Sequence, residues 1–243
     1  MRQIFSRPYS LKEVPFRYCP GCGHSIAHRL VAECIDKLQI WERVIGIAPV
    51  GCAVFAYDYF DFDVIEAAHG RPPAVATGLK RVMPDRIIFS YQGDGDLASI
   101  GMAEIIHAGA RGENITVIFI NNATYGMTGG QMAPTTLIGQ KTSTTIQGRD
   151  RIKHGYPIRV SEMLATLEGT RFIARGSLDS VVDIKKTKDY IITAFRNQMD
   201  NKGFSFVEVL SPCPTDWGMS PSEAKRWVKE EMKNYFKTGV LKA

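Results

Sequence analysis

Residues 93–131 read GDGDLASIGMAEIIHAGARGENITVIFINNATYGMTGGQ. A run rich in β-branched and aromatic residues, Ile87 to Tyr91, leads into Gly93-Asp94-Gly95. A helical pattern follows, then a run from Ile115 to Ile120, apolar but for Thr116, that stops at Asn121-Asn122. The order is strand, tight turn, helix, strand, with polar clusters just past both strand ends, where ligands bind in open α/β sheets. Gly93 and Gly95 lack a Cβ, so the backbone can turn sharply and approach a bulky ligand. Asp94 sets a carboxylate at the first strand end and Asn122 an amide oxygen at the second. With a nearby backbone carbonyl these form a hard oxygen set that suits Mg²⁺, whose other positions phosphate oxygens and water usually fill. The helix opening after Asp96 turns its N–H groups toward the same place and favours an anion there. Either cluster alone reads as an ordinary turn or loop; at matched strand ends they read as a site for a metal-bound diphosphate.

Outward from this unit, helical and strand patterns alternate along the chain. A helix starts near His24, with Ile26, Leu30, Val31, Cys34, Ile35 and Leu38 on one face, and Val44 to Ile47 is a short strand. The aromatic-rich stretch 53–65 reads as a buried packing loop. A second helix starts at Pro72 or Pro73, where proline suits the first turn, and runs to about Val82. It leaves His69 and Arg71 at a helix N-terminus, either beside an anion or simply on the surface. Residues 132–156 show no clear periodicity and contain Thr135, Thr136 and Thr142 to Thr145; such stretches are usually lids or interface loops. Beyond them the pattern gives a helix over Ile158–Leu167, a strand over Phe172–Ala174 and a long helix over Asp179–Asp200. Val181, Val182, Ile184, Ile191, Ile192, Phe195 and Met199 are the expected core face of that helix. A strand over Phe204–Leu210 follows, and Ser220-Pro221-Ser222-Glu223 is a capping-box start for a last helix to about Tyr235. The alternation predicts one α/β domain with a mostly parallel sheet flanked by helices.

Four of the five cysteines stand at breaks in this pattern. Cys19-Pro20-Gly21-Cys22 is a tight loop in which both thiolates can face one metal. Cys52 and Cys213 each end a strand, flanked by glycine or proline. If the strands are parallel, these two ends open on the same sheet edge as Asp94, and four thiolates fit zinc or a 4Fe-4S cluster equally well by spacing. Cys34, on an apolar helix stripe, reads as a small core residue. His24, next to the CxxC, either contacts a diphosphate or shapes the loop. His28 reads as structural and His107 as a satisfied packing residue.

The GDG and NN clusters, continued by Tyr125-Gly126-Met127-Thr128-Gly129-Gly130-Gln131, resemble the thiamine diphosphate motif. Together with YCPGCGH, VGC and SPCP, they are similar to the thiamine diphosphate-binding β subunit of the 2-oxoacid:ferredoxin oxidoreductases. The resemblance covers essentially the whole chain. It implies a single thiamine diphosphate-binding domain over 1–243, with an N-terminal arm and CxxC loop (1–25) and a C-terminal helical tail (220–243). It implies Mg²⁺ held by Asp94, Asn122 and the carbonyl of Thr124, and a cofactor near His24, His69, Arg71, Gly93, Gly95, Asp96, Tyr125, Gly126, Met127 and Thr128. It also implies a 4Fe-4S cluster on Cys19, Cys22, Cys52 and Cys213. The chemistry agrees: thiamine-assisted loss of CO₂ leaves an electron-rich carbon, and a nearby cluster can take its electrons singly. The activity implied is coenzyme A-dependent oxidative decarboxylation of a 2-oxoacid, of the 2-oxoglutarate or branched-chain type, to acyl-CoA, CO₂ and reduced ferredoxin. The alternative is a non-oxidative decarboxylase or carboligase subunit with structural zinc. The glutamate that activates thiamine belongs to a pyrimidine-binding domain not seen here, so an α subunit is expected to supply it, with γ and ferredoxin-like δ subunits as further partners. Among this chain's residues His69 is the candidate catalytic group.

Composition bounds the rest. The chain has 243 residues, 44% hydrophobic and 23% charged, which are globular values, and a mild net charge of +5. Basic residues are scattered without aromatic interleaving, so nucleic acid is not an expected partner. No signal-like or membrane-spanning run is visible, and a CxxC with an odd cysteine count fits a reducing, cytoplasmic setting better than disulfides. Residues 1–18, broken by Pro8 and Pro15, read as an extended arm that lies on a partner or frays.

Overall fold

The computed structural model describes residues 6–243. Seven strands form one sheet: β1 (Val44–Ala48), β2 (Asp63–Glu66), β3 (Ile87–Gly93), β4 (Thr116–Asn121), β5 (Thr170–Ser177), β6 (Phe204–Leu210) and β7 (Gly239–Lys242). Their order across the sheet is β2-β1-β3-β4-β6-β5-β7. All neighbours are parallel except β5 and β7. The predicted α/β class and mostly parallel sheet are therefore observed. Every residue of β1, β4 and β6 is buried, as expected where helices cover both faces of a parallel sheet. One apolar layer, with Leu30, Ile35, Phe89, Ile118 and Phe195, lies between the sheet and the helices His24–Leu38 and Val181–Met199. The other, with Ile88, Ile105, Phe119, Leu164 and Phe206, lies beneath the helices Pro72–Val82, Met102–Ala110 and Val160–Ala165.

The chain leaves β1 for β2 on one side and then crosses back to β3 on the other. The loops after β1 and β3 thus diverge, which opens a crevice at the carboxyl ends of these strands. This switch point is what the fold supplies to the site.

Several expectations need correction. The stretch 53–65 is not only a packing loop: it contains a short helix, Ala56–Tyr59, and the edge strand β2, with Tyr59 and Phe60 buried as anticipated. β7 had no strand signal; it is a short antiparallel edge whose residues stay partly exposed. On the long helix, Val181, Val182 and Met199 are exposed, and the buried positions include Thr187, Ala194 and Gln198. The first two residues sit in the opening turn, before the helix reaches the sheet. Thr187 and Gln198 are buried polar groups that periodicity alone counts as surface; Gln198 donates to the carbonyls of Ile88 and Asn114. His107 is exposed rather than packed, whereas His28 is buried. Over its described part the arm is tied to its own chain: the backbone amides of Tyr9 and Ser10 donate to Asp36, and that of Lys12 to the Tyr59 carbonyl. Its first five residues lie outside the described range.

Candidate active site

A cavity of about 350 Å³ occupies the crevice. Its lining comes from three strand-end loops, after β1, β3 and β4, together with His24 and His69. Gly93, Asp94, Gly95, Asp96, Asn122, Thr124, Tyr125, Gly126, Met127 and Thr128 all line it, as does Cys52. Arg71 does not; it pairs with Glu104 on the neighbouring helix and donates to the Ile100 carbonyl.

Asp94 is buried at the base. One carboxylate oxygen accepts the Asn122 amide at 3.1 Å and the other the Thr135 hydroxyl. Burial pushes the Asp94 carboxyl up to about 7, although the Thr135 and Asn122 bonds oppose the shift. The Asn122 side chain and the Thr124 carbonyl have no hydrogen-bond partner within the described residues, and Thr124 and Asn122 are both nearly buried. A carboxylate, an amide and a carbonyl on one wall, two of them unpaired, make the oxygen donor set that a small divalent cation takes. The turn that presents them is built from Ala123, which has a left-handed φ of 55°. Asn121 holds it there, accepting the Ala123 amide at 3.1 Å and donating to the buried Glu208 at 2.7 Å.

Neither Gly93 nor Gly95 has a left-handed backbone. Gly95 is needed because a Cβ there would lie 2.9 Å from the Tyr125 ring, which lies against it; at Gly93 a Cβ would meet nothing and would project into open space. The helix after Asp96 opens as a π-helical turn, Asp96–Ile100.

Asp96 lines the cavity, but both its oxygens are engaged. Oδ1 accepts from His69 Nδ1 at 2.6 Å, from the Gly70 amide at 2.8 Å and from the Val50 amide at 3.3 Å; Oδ2 accepts from Gln92 at 2.7 Å. It therefore clamps the β1, His69 and β3 loops together and orients the His69 ring through Nδ1. His24 is buried with Nδ1 2.8 Å from the Tyr91 hydroxyl, and burial lowers it to about 4, so the ring is neutral near pH 7.

The cysteines gather on this same rim. The Gly23 amide donates to the Pro212 carbonyl at 3.2 Å, which ties the CxxC loop to the turn carrying Cys213. A Cβ on Gly126 would lie 3.2 Å from Cys52 Sγ, so the Tyr125–Thr128 loop rests on that sulfur. Burial pushes Cys22 up to about 12, with Cys52 and Cys19 adding to the shift, and Cys52 up to about 11, with Asp216 and Cys19 adding. Cys213 is pushed up by burial, by Asp216 and by Cys22. Cys22 thus lies within electrostatic reach of Cys19, Cys52 and Cys213. Among the described residues, no three Cys, His, Asp or Glu side chains converge closely enough to hold an ion as they stand. The donor chemistry and the shared rim fit a thiolate-held centre, whose positive charge would reverse the penalty that burial places on each thiolate. Cys34 is apart, buried in the helix-covered core with its thiol toward the Lys188 carbonyl, as predicted.

Three contributors escaped sequence reasoning. Thr135 and Gln92 act through hydrogen bonds to the two aspartates, and neither residue type stands out in its surroundings. Asp216, 3.1 Å from Cys213 Sγ, had a usable signal: an acid within one turn of a candidate cysteine ligand. The segment 132–156 lines none of the cavity; it reaches the site through the Thr135 hydroxyl, which donates to Asp94.

Residues 49–209 match the family described as thiamine pyrophosphate enzyme, C-terminal TPP binding domain. The chain is 50% identical over 236 residues to the ketoisovalerate oxidoreductase subunit VorA of Methanothermobacter marburgensis, covering 97% of this chain and 49% of that one. It therefore spans about half the length of that relative. It is 34% identical over 223 residues to the 2-oxoglutarate synthase subunit KorB of Methanocaldococcus jannaschii, covering 89% of this chain and 78% of that one. A solved structure of 2-oxoglutarate:ferredoxin oxidoreductase from Magnetococcus marinus, with 2-oxoglutarate, coenzyme A and succinyl-CoA bound, superposes with a TM-score of 0.77 at 26% identity. It covers 99% of this chain and 85% of that one.

Proposed function

Because this chain belongs to the thiamine diphosphate-binding subunits of the 2-oxoacid:ferredoxin oxidoreductases, we propose that it carries the diphosphate half of such an enzyme's active site and the cysteine site beside it. Asp94, Asn122 and the Thr124 carbonyl would hold Mg²⁺, and Cys19, Cys22, Cys52 and Cys213 a 4Fe-4S cluster. When bound, thiamine diphosphate supplies the electron sink for decarboxylation and the cluster a one-electron acceptor. The overall change is balanced: a 2-oxoacid anion and the coenzyme A thiol give the acyl thioester, CO₂, one proton and two electrons, which leave singly for ferredoxin.

The chain's own groups have distinct tasks. Gly93 leaves the cavity wall open to the ligand, and Tyr125 closes over Gly95. Asp96 fixes His69 through Nδ1, so the other ring nitrogen is free to hold or pass a proton at the cavity. Neutral His24 offers a hydrogen bond there without adding charge. The remaining wall and the activating glutamate would come from an α subunit, with γ and ferredoxin-like δ chains completing a cytoplasmic complex.

The observation that carries the reading is one cavity whose wall holds both the Asp94–Asn122–Thr124 oxygen set and Cys52. Its lining also bears on the substrate. No Lys or Arg lines it among the described residues, while Val50, Ala53, Ile100 and Met127 do. A second carboxylate, as in 2-oxoglutarate, would find no cation among these described lining residues, so the lining favours a branched-chain 2-oxoacid. The test is purification with the native partner chains and an assay of a 2-oxoacid panel with coenzyme A and a viologen acceptor. Reduction with 3-methyl-2-oxobutanoate ahead of 2-oxoglutarate is expected. Coenzyme A-independent release of CO₂ without viologen reduction would contradict the reading.

A further inference from the structure

Asp216 stands beside the cysteines without being one of the proposed ligands. It lies in the short helix Pro214–Trp217, directly after Cys213 and its proline. Its Oδ2 accepts from Cys213 Sγ at 3.1 Å. A Cβ on Gly126 would stand 3.4 Å from the same oxygen and 3.2 Å from Cys52 Sγ, so carboxylate and sulfur flank one loop. A Cβ on Gly130 would stand 3.1 Å from Asp216 Cβ, which puts the aspartate against the far side of that loop too. Its charge also reaches Cys22, so three of the four clustered cysteines feel it. Asp216 is half-buried, and among the described residues it has no Lys, Arg or His within ion-pair distance. A half-buried carboxylate with no cation beside it acts on the neighbouring sulfurs more strongly than an exposed one would.

We propose that Asp216 is a positioning residue that holds down the reduction potential of the iron–sulfur group bound by the neighbouring cysteines. The proposal rests on the cysteine reading of the preceding subsection. Its physics is the destabilisation of added negative charge. The step concerned is the gain of one electron by the oxidised cluster, drawn from the decarboxylated substrate, and its later loss to ferredoxin. A fixed anion nearby disfavours the more negative, reduced state, so the electron is held less tightly and passes on more readily. The same carboxylate abuts the Tyr125–Gln131 loop, so its charge stands between the cavity wall and the cysteines.

The test is an anaerobic redox titration of the complete complex, followed by the paramagnetic signal that Cys213→Ser removes. Asp216→Asn keeps the side chain's shape and removes its charge, whereas Asp216→Glu restores the charge. The expected result is a midpoint shifted to more positive potential in Asp216→Asn and a midpoint close to the parent's in Asp216→Glu, with iron content equal in all three. An unshifted midpoint in Asp216→Asn would overturn the proposal, as would equal loss of iron from both variants, which would make Asp216 a ligand or a structural prop. If Cys213→Ser left iron and signal intact, the cysteine reading itself would fail, and the proposal with it, whatever Asp216 did.

Discussion

Ala123 shows how much of the site depends on one strained residue. A non-glycine residue in the left-handed region costs on the order of 1 kcal/mol, and here it joins Asn122 to Thr124, both of which line the cavity with Asp94. Asn121 offsets that cost from behind through its bonds to the Ala123 amide and Glu208. Asn121→Ala should therefore retain the fold but weaken binding of Mg²⁺ and thiamine diphosphate by roughly ten- to a hundred-fold, as losses behind a metal ligand do; calorimetry on the complex would read it. The buried imidazoles make a second case. His24 is lowered to about 4 by burial, and His28 well below its ordinary value by burial and by His24. Both are neutral when folded and protonate near pH 6.5 when unfolded, so their contribution is complete above about pH 6.5 and is lost as pH falls toward 4. Denaturation midpoints should drop across that window, and His28→Gln should make the drop shallower. An equal slope in both proteins would show that His28 is not among its sources.

At the scale of elements, the irregular segment 132–156 is ordered by one side chain. Buried Arg149 donates to the carbonyls of Ala133, Pro134, Thr136, His154, Gly155 and Tyr156. Arg149→Met would leave several carbonyls unpaired and should cost about 3–5 kcal/mol, by analogy with breaking a buried charged network. It should also release Thr135 from Asp94 and so weaken cation binding, which limited proteolysis and calorimetry would show together. Lysine should not rescue it, because it cannot reproduce the guanidinium's fan of donors. No periodicity marks such a segment, because its order comes from long-range hydrogen bonds. The central strands were legible for the opposite reason: strands buried on both faces are mostly apolar and β-branched or aromatic, as β3, β4 and β6 are despite a few buried polar residues. The edges β2 and β7 are half-exposed and carry no such run, so nothing in their residues marks them. The capping box at Ser220 and Glu223 was legible and is observed with both reciprocal bonds.

For the whole molecule, the decisive feature is that parallel strands end on one edge. Given that, the GDG, NN and VGC segments, each recognisable as a strand end, had to meet, and the cavity follows from their order in the sheet. What the residues did not disclose is which carboxylate faces the ligand: Asp94 and Asp96 look alike in GDGD, and only the fold commits Asp96 to clamping loops. The sequence could equally not show that Arg71 would be taken by Glu104. Among the described residues, no helix is long and apolar enough to cross a membrane. The central claim is that the oxygen-lined and sulfur-lined parts of this rim work as one unit. It is tested most directly by adding a branched-chain 2-oxoacid and coenzyme A, anaerobically and without ferredoxin, to the complete complex and recording the visible iron–sulfur absorption. Prompt bleaching is expected in the parent and in Cys34→Ser, with bleaching abolished in Asp94→Ala, which keeps its iron, and in Cys213→Ser, which loses it. Undiminished bleaching in either of the last two variants would contradict the account.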